Sequence, residues 1–261
     1  HIAAQRGHEG CLRVLHKLGG EAAASVAEAN EDGDTPAQIA AFEGHEGCLR
    51  VLHELGGDAA ASLAAAADGA TPAHFAAAGG HEGFLRVLHA QGGDAAASLV
   101  AADADGLTPA HYAAAKGHEG CLRVLHELGG DAAASLVAAD TYGETPAHRA
   151  ATNGHEGCLR LLHELGGDAA ASLAAANADG STPAHDAAYQ GQEGCLRVLH
   201  ELGGDAAASL AAAGASGYTP AHFAAMRGHG GCLRVLHELG GDAAASVTAA
   251  MEDGDTPAHI A

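Results

Sequence analysis

Thr108-Pro109-Ala110-His111, followed by Gly117-His118-Glu119-Gly120-Cys121-Leu122-Arg123-Val124-Leu125-His126-Glu127-Leu128-Gly129-Gly130, recurs with light edits along the whole 261-residue chain. All seven prolines follow a threonine, at Thr35, Thr71, Thr108, Thr145, Thr182, Thr219 and Thr256. The spacing between these threonines is 36 residues once and 37 thereafter. A fixed period of this size indicates a solenoid. No repeat buries its own apolar face, so its neighbours must complete the core.

The chemistry inside one repeat predicts a helical hairpin. The Thr108 hydroxyl caps a helix whose first position suits Pro109, and Gly117 stops it. A second helix is expected from Glu119 to Leu128, closed by Gly129-Gly130. Cys121, Leu122, Val124, Leu125 and Leu128 fall at helical spacing and mark its buried stripe. Glu119, Arg123 and Glu127 stand at successive i, i+4 positions, as on a solvated face.

Thr108-Pro109-Ala110-His111-x-Ala113-Ala114 resembles the Thr-Pro-Leu-His-x-Ala-Ala signature of the ankyrin family, with alanine for leucine. Gly117-His118, Cys121-Leu122-Arg123-Val124-Leu125 and Gly129 resemble its second helix and stop, and Asp105-Gly106 its turn. The resemblance covers nearly all the chain in seven copies. It implies an all-α, ankyrin-like solenoid of about seven stacked repeats, read as one domain over residues 1–261. Repeat boundaries fall near the seven threonines. The family's repeat has 33 residues, and the excess here lies in Asp131-Ala132-Ala133-Ala134-Ser135-Leu136-Val137-Ala138-Ala139. Alanine content, with Asp131 placed to cap, predicts a short third helix where the family has a β-hairpin finger. Leu136 and its counterparts Val26, Leu63, Leu99, Leu173, Leu210 and Val247 are expected to pin that helix down.

The net charge of −21 argues against nucleic acid and anionic membrane surfaces, and for a neutral or basic partner. No stretch reaches the roughly 20 apolar residues of a membrane span. The chain starts at His1-Ile2-Ala3 and stops at His259-Ile260-Ala261 in the same register, without polar capping repeats, and reads as an excerpt of a longer array. Cys11, Cys48, Cys121, Cys158, Cys195 and Cys232 share one column with Phe84. They read as small hydrophobes in a reducing, intracellular and cytoplasm-like compartment, too far apart for disulfides.

Twenty histidines fall into three columns. The first follows Thr-Pro: His74, His111, His148, His185, His222 and His259, with Gln38 as the exception. The resemblance gives Thr71/His74, Thr108/His111, Thr145/His148, Thr182/His185 and Thr219/His222 a structural role, tying turns to neighbours. His8, His45, His81, His118, His155 and His229 form the second column, with Gln192 substituting. The third lies on the second helix, His126 among its members. His118 and Cys121 have i, i+3 spacing but no third ligand, so no metal site and no cofactor are expected. Ser135, Asp131 and His126 recur together, yet dispersed copies are not a preorganised catalytic constellation. The reading is a protein that is not an enzyme.

Variation between repeats picks out a face. The second helix hardly changes, whereas the residue after the first-helix histidine runs Ile39, Phe75, Tyr112, Arg149, Asp186, Phe223. The end of that helix varies too, through Phe42, Lys116, Tyr189, Met226 and Arg227, as does the residue before threonine, Tyr218 among them. A position that accepts Phe, Arg and Asp in one mould is expected to be exposed. In the ankyrin family the matching positions line a concave groove, so the resemblance implies partner binding at Phe42, Phe75, Tyr112, Lys116, Arg149, Asp186, Tyr189, Tyr218, Phe223, Met226 and Arg227. Aromatic residues and arginine are the usual interface anchors. The function expected is a protein–protein interaction scaffold. The alternatives are a structural strut or peripheral subunit of an assembly, and a regulatory repeat domain of a larger protein. Protonating all the histidines would nearly cancel the charge, so self-association should rise near pH 5. Light scattering that stays flat between about pH 7.5 and pH 5 would contradict this.

Overall fold

The computed structural model describes residues 1–64, 68–251 and 253–261, and every regular element among them is helical. Contacts divide the chain into two compact units, His1–Ala113 with Gly120–Ser135, and Ala114–Glu119 with Leu136–Ala261. In the first unit the helix pairs include Pro36–Phe42 with Glu46–Leu55 and Pro72–Gly79 with Glu82–Gln91. In the second they include Pro146–Asn153 with Glu156–Leu165, Pro183–Gln190 with Glu193–Leu202, and Pro220–Met226 with Gly230–Leu239. Within each unit first helices pack on first helices and second on second, as stacked hairpins must.

Side-chain size sets this packing. On the first helices the alanines at i, i+3 and i+4, such as Ala184, Ala187 and Ala188, are fully buried and let adjacent helices approach closely. On the second helices Leu122, Leu125, Leu159, Leu162, Leu196 and Leu199 are buried as their stripe requires. Cys48, Cys121, Cys158, Cys195 and Cys232 join them as free thiols, while Cys11 is exposed. Burial pushes the Cys121 and Cys195 thiols up to about 12.

The third helix is present, as at Gly130–Ala134, which continues into a 3₁₀ turn at Ser135–Val137. Its start differs from expectation. Gly129 is the N-cap, at φ 72° and ψ −170°, a region essentially closed to other residues. Asp131 makes no cap hydrogen bond and lies in the first turn, where its charge suits the helix dipole. Ser135 Oγ donates to the Ala132 carbonyl at 2.7 Å, so the repeated serine satisfies a helix-end acceptor. Leu136 and its counterparts are buried, except Val247, which is half-buried.

Stacking is held by a histidine with two separate tasks. Thr182 and His185 form a capping box, and the ring Nδ1 accepts the Thr182 amide at 3.0 Å. The proton therefore sits on Nε2, which donates to the Tyr218 carbonyl of the next repeat at 3.1 Å. His74 does the same with the Thr71 amide and the Leu107 carbonyl. Gln38 reproduces the scheme, its Oε1 accepting from the Thr35 amide and its Nε2 donating to the Ala70 carbonyl. The second column ties backwards: His81 Nε2 meets the Phe42 carbonyl at 2.7 Å and His155 the Ala115 carbonyl at 3.0 Å. Gly117 leaves room for this, since a Cβ there would stand 2.6 Å from His155 Nδ1.

The charged face is organised between repeats rather than along the helix. Arg13 pairs with Glu54, Arg86 with Glu127, Arg160 with Glu201 and Arg197 with Glu238, at 2.6 to 2.9 Å. Arg50 instead uses its i, i+4 partner, Glu46, because Ala90 stands where the next repeat's glutamate belongs. These pairs are about half exposed and individually worth little.

Burial lowers His74 and holds His185 down to about 4, so His185 does not join the charge change near pH 5 that composition suggests. A histidine kept neutral in the fold but free to protonate at 6.5 when unfolded stabilises fully above 6.5. That contribution is lost as pH falls from 6.5 towards 4. His185→Gln, copying Gln38, should keep the pH 7 melting temperature within a few degrees, about 1 kcal/mol or less. It should also shrink the fall in melting temperature between about pH 7 and pH 4.5. Thermal unfolding across that range checks it, and an unchanged acid profile would contradict it.

Candidate protein-interaction face

The residues that vary between repeats sit on the first helices and on the turns that precede them. Before Thr35, Thr108, Thr145 and Thr182 the turn is set by an Asx residue five positions ahead of the threonine. Asp103 Oδ1 accepts the Asp105 and Leu107 amides at 3.0 and 2.9 Å. Asp140 accepts those of Tyr142 and Glu144, and Asn177 those of Asp179 and Ser181. Successive turn tips are linked within a unit by backbone hydrogen bonds, Ala104 to the Asp68 carbonyl and Ala178 to that of Tyr142.

The expectation that the post-histidine residue is exposed needs correcting. Ile39, Phe75, Tyr112, Arg149, Asp186 and Phe223 are all half-buried. Two of them are engaged by the turn of their own repeat. The Tyr112 hydroxyl donates to Asp103 Oδ2 at 2.8 Å, and burial followed by this bond pushes the phenol up to about 12. Arg149 pairs with Asp140 and, at 3.2 Å, with Glu144. Burial alone would raise the Asp140 carboxyl; the Arg149 guanidinium and two turn amides outweigh it and hold it below the usual range. Tyr and Arg at this position therefore match an aspartate nine residues earlier. The Asp five residues before Thr108 and Thr145 was the available sequence signal for those two turns.

The remaining residues gather around two cavities, one in each unit. In the first unit Phe42 and Phe75 line a cavity of about 490 Å³ with Ile2 and Ile39, and Phe42 is 54% exposed. In the second unit Asp186, Tyr189, Tyr218, Phe223 and Met226 line one of about 590 Å³. There Tyr189 meets Phe223 edge-on at 5.9 Å, and Tyr218 lies tilted against it at 5.6 Å. Arg227 places its guanidinium 4.6 Å over the Tyr189 ring. Met226 is 43% exposed, and Lys116 stands exposed at the end of its helix. Asp186 Oδ2 is buried with no hydrogen-bond partner, as is the Nε of Arg149 in the same column. Burial and the Glu144 charge push the Asp186 carboxyl up to about 8, against a smaller opposing pull from Arg149.

Among the described residues no three His, Cys, Asp or Glu side chains are grouped to hold a metal ion, and no helix is long and apolar enough to cross a membrane. Family models of ankyrin repeats match residues 55–135 and 130–209 in one form and 1–53 and 184–237 in another. The chain belongs to the ankyrin repeat family. Among solved structures, the ankyrin repeat domain of Bcl-3, described as a unique member of the IkappaB protein family, is similar to it. That likeness has TM-score 0.66 and 27% identity, over 88% of this chain and 95% of that one. A search of the curated proteins returns no match. The ankyrin repeat is a common protein–protein interaction module, and its fold is generally non-catalytic.

Arg149→Met should destabilise this ankyrin chain by about 1–3 kcal/mol, because it leaves the fully buried Asp140 carboxylate without its cation. Phe42→Ala, at an exposed position, should change stability by about 0.5 kcal/mol or less. Chemical denaturation of both variants measures the difference, and equal effects would contradict the assignment of Arg149 to the turn.

Proposed function

We propose that the protein is a non-catalytic scaffold that binds a partner protein across the first-helix and turn face of its ankyrin repeats. The supporting observation is the contrast between a second helix that hardly varies and a first-helix face carrying Phe42, Phe75, Tyr189, Phe223 and Met226 beside open cavities. Aromatic and methionine side chains that keep part of their surface at a solvent-accessible rim are the side chains that anchor interfaces. The net charge of −21 favours a neutral or basic partner surface. The partner meets the chain inside a cell, in a compartment where the cysteines stay reduced.

Tyr112 and Arg149 belong to this face but are satisfied by Asp103 and Asp140. Their pairing favours a second reading, a strut or peripheral subunit touching its neighbours elsewhere. Cross-linking mass spectrometry on the native complex separates the two. Cross-links confined to the repeat ends or the second helices would reject the groove. With a partner in hand, the pair Phe42→Ala and Phe75→Ala should weaken binding by roughly tenfold or more, as truncated hot spots do. Melting should shift by only a few degrees. Unchanged affinity would count against the proposal.

A further inference from the structure

We propose that the cavity of the second unit bounded by Asp186, Glu144, Asp179, Tyr189, Tyr218 and Phe223 receives an arginine side chain of the partner, with the Asp186 carboxylate as its anchor. This rests on the partner-binding reading above and names the chemistry of one contact within it.

Asp186 lacks the turn aspartate partner that Arg149 and Tyr112 have. In the repeat before it, the charged residue in this column, Arg149, is consumed by the aspartate of its own turn. In the Asp186 repeat the turn residue is Asn177, and its carbonyl oxygen is occupied by the Asp179 and Ser181 amides. Asp186 gains no ion pair there, and one of its oxygens is buried without a hydrogen bond. Leaving such a group unmatched costs about 1–3 kcal/mol or more, so it is costly to the fold alone. Nearby Arg149 relieves it only in part: its terminal nitrogen is shared between Asp140 and Glu144, and its buried Nε makes no hydrogen bond to Asp186.

The cavity supplies what a guanidinium needs. Glu144, Asp179 and Asp186 line it and no lysine or arginine does; Glu144 is already paired with Arg149, which leaves Asp186 as the carboxyl with no cation of its own. Its volume of about 590 Å³ exceeds that of one side chain. Its walls are Tyr189, Tyr218 and Phe223, and a planar, weakly hydrated guanidinium stacks on such rings while binding a carboxylate through paired N–H donors. Arg227 over Tyr189 already shows that geometry at the rim. An incoming cation would displace the proton that burial keeps on Asp186 at neutral pH. The titratable and charged groups around it are His185 and Tyr189 on its own helix, Asp179 in the turn of its own repeat, and Glu144, Arg149 and Tyr218 on the neighbouring repeats.

The test uses the full chain and two small probes, N-acetylarginine amide and its neutral isostere N-acetylcitrulline amide, followed by NMR titration. The arginine probe should bind at about millimolar Kd, shifting resonances of the cavity residues, with citrulline roughly tenfold weaker. Its affinity should rise about tenfold between pH 7 and pH 9 as Asp186 ionises. Asp186→Asn should abolish that preference for arginine. It should also raise the melting temperature at pH 8, because the raised carboxyl pKa costs the native state stability increasingly as pH climbs from 3.8 through about 8. A structural salt bridge to Arg149 predicts the reverse, and a lowered melting temperature in Asp186→Asn would overturn the proposal. Equal binding of citrulline, or unchanged arginine binding in Asp186→Asn, would overturn it too. The partner-binding reading fails separately: it falls if the Phe42 and Phe75 variants keep full affinity for the partner, whatever arginine amide does.

Discussion

A neutral imidazole that accepts with one nitrogen and donates with the other is the interaction on which the stack depends. His185 can hold the Thr182 amide and the Tyr218 carbonyl at once only because its two nitrogens are chemically different. A second proton would turn the acceptor into a donor, leaving a buried amide facing a buried N–H. Burial prevents that, and so the packing that the histidine helps to build also keeps it in its working state. Gln38, with an oxygen and an NH₂ in place of the two nitrogens, meets the same requirement without a titratable group.

Around this joint each kind of contact has a direction. The first-column histidine reaches forward to the next repeat, the second-column histidine reaches back, and arginine reaches forward to glutamate. Glu156 also projects forward, its Oε1 lying 1.8 Å from where a Cβ on Gly194 would be, at the N-terminus of the next second helix. A carboxylate there is favoured by the helix dipole, and the glycine makes room for it. The short second-helix motif is thus read twice, once by its own hydrophobic stripe and once by the repeat beside it.

Much of the architecture was legible because local and periodic signals agreed. Thr-Pro spacing gave the period, and the Leu122 and Leu125 stripe gave the buried face. The alanine run after Gly129-Gly130 announced the third helix. Asp131 misled because its cap role assumed a helix starting two residues later, whereas the positive φ of Gly129 and Gly130 lets the helix begin at Gly130. The arginine ladder could not be read from one helix, since i, i+4 spacing and a partner one repeat away look alike in sequence. The candidate face was located but not its depth. Variation at Tyr112 and Arg149 looked like freedom from constraint, yet each is matched to an aspartate brought near by folding. Asp186 stood out only once that matching was visible and missing.

Because the histidine and arginine ties run from one copy to the adjacent copy, a repeat is a module with a plug on one side and a socket on the other. Gene conversion or unequal crossing-over in register would join plug to socket wherever it fell, and the product would fold. The number of modules can therefore drift while the joints stay the same. What selection can act upon in each module is the small set of side chains that no joint uses.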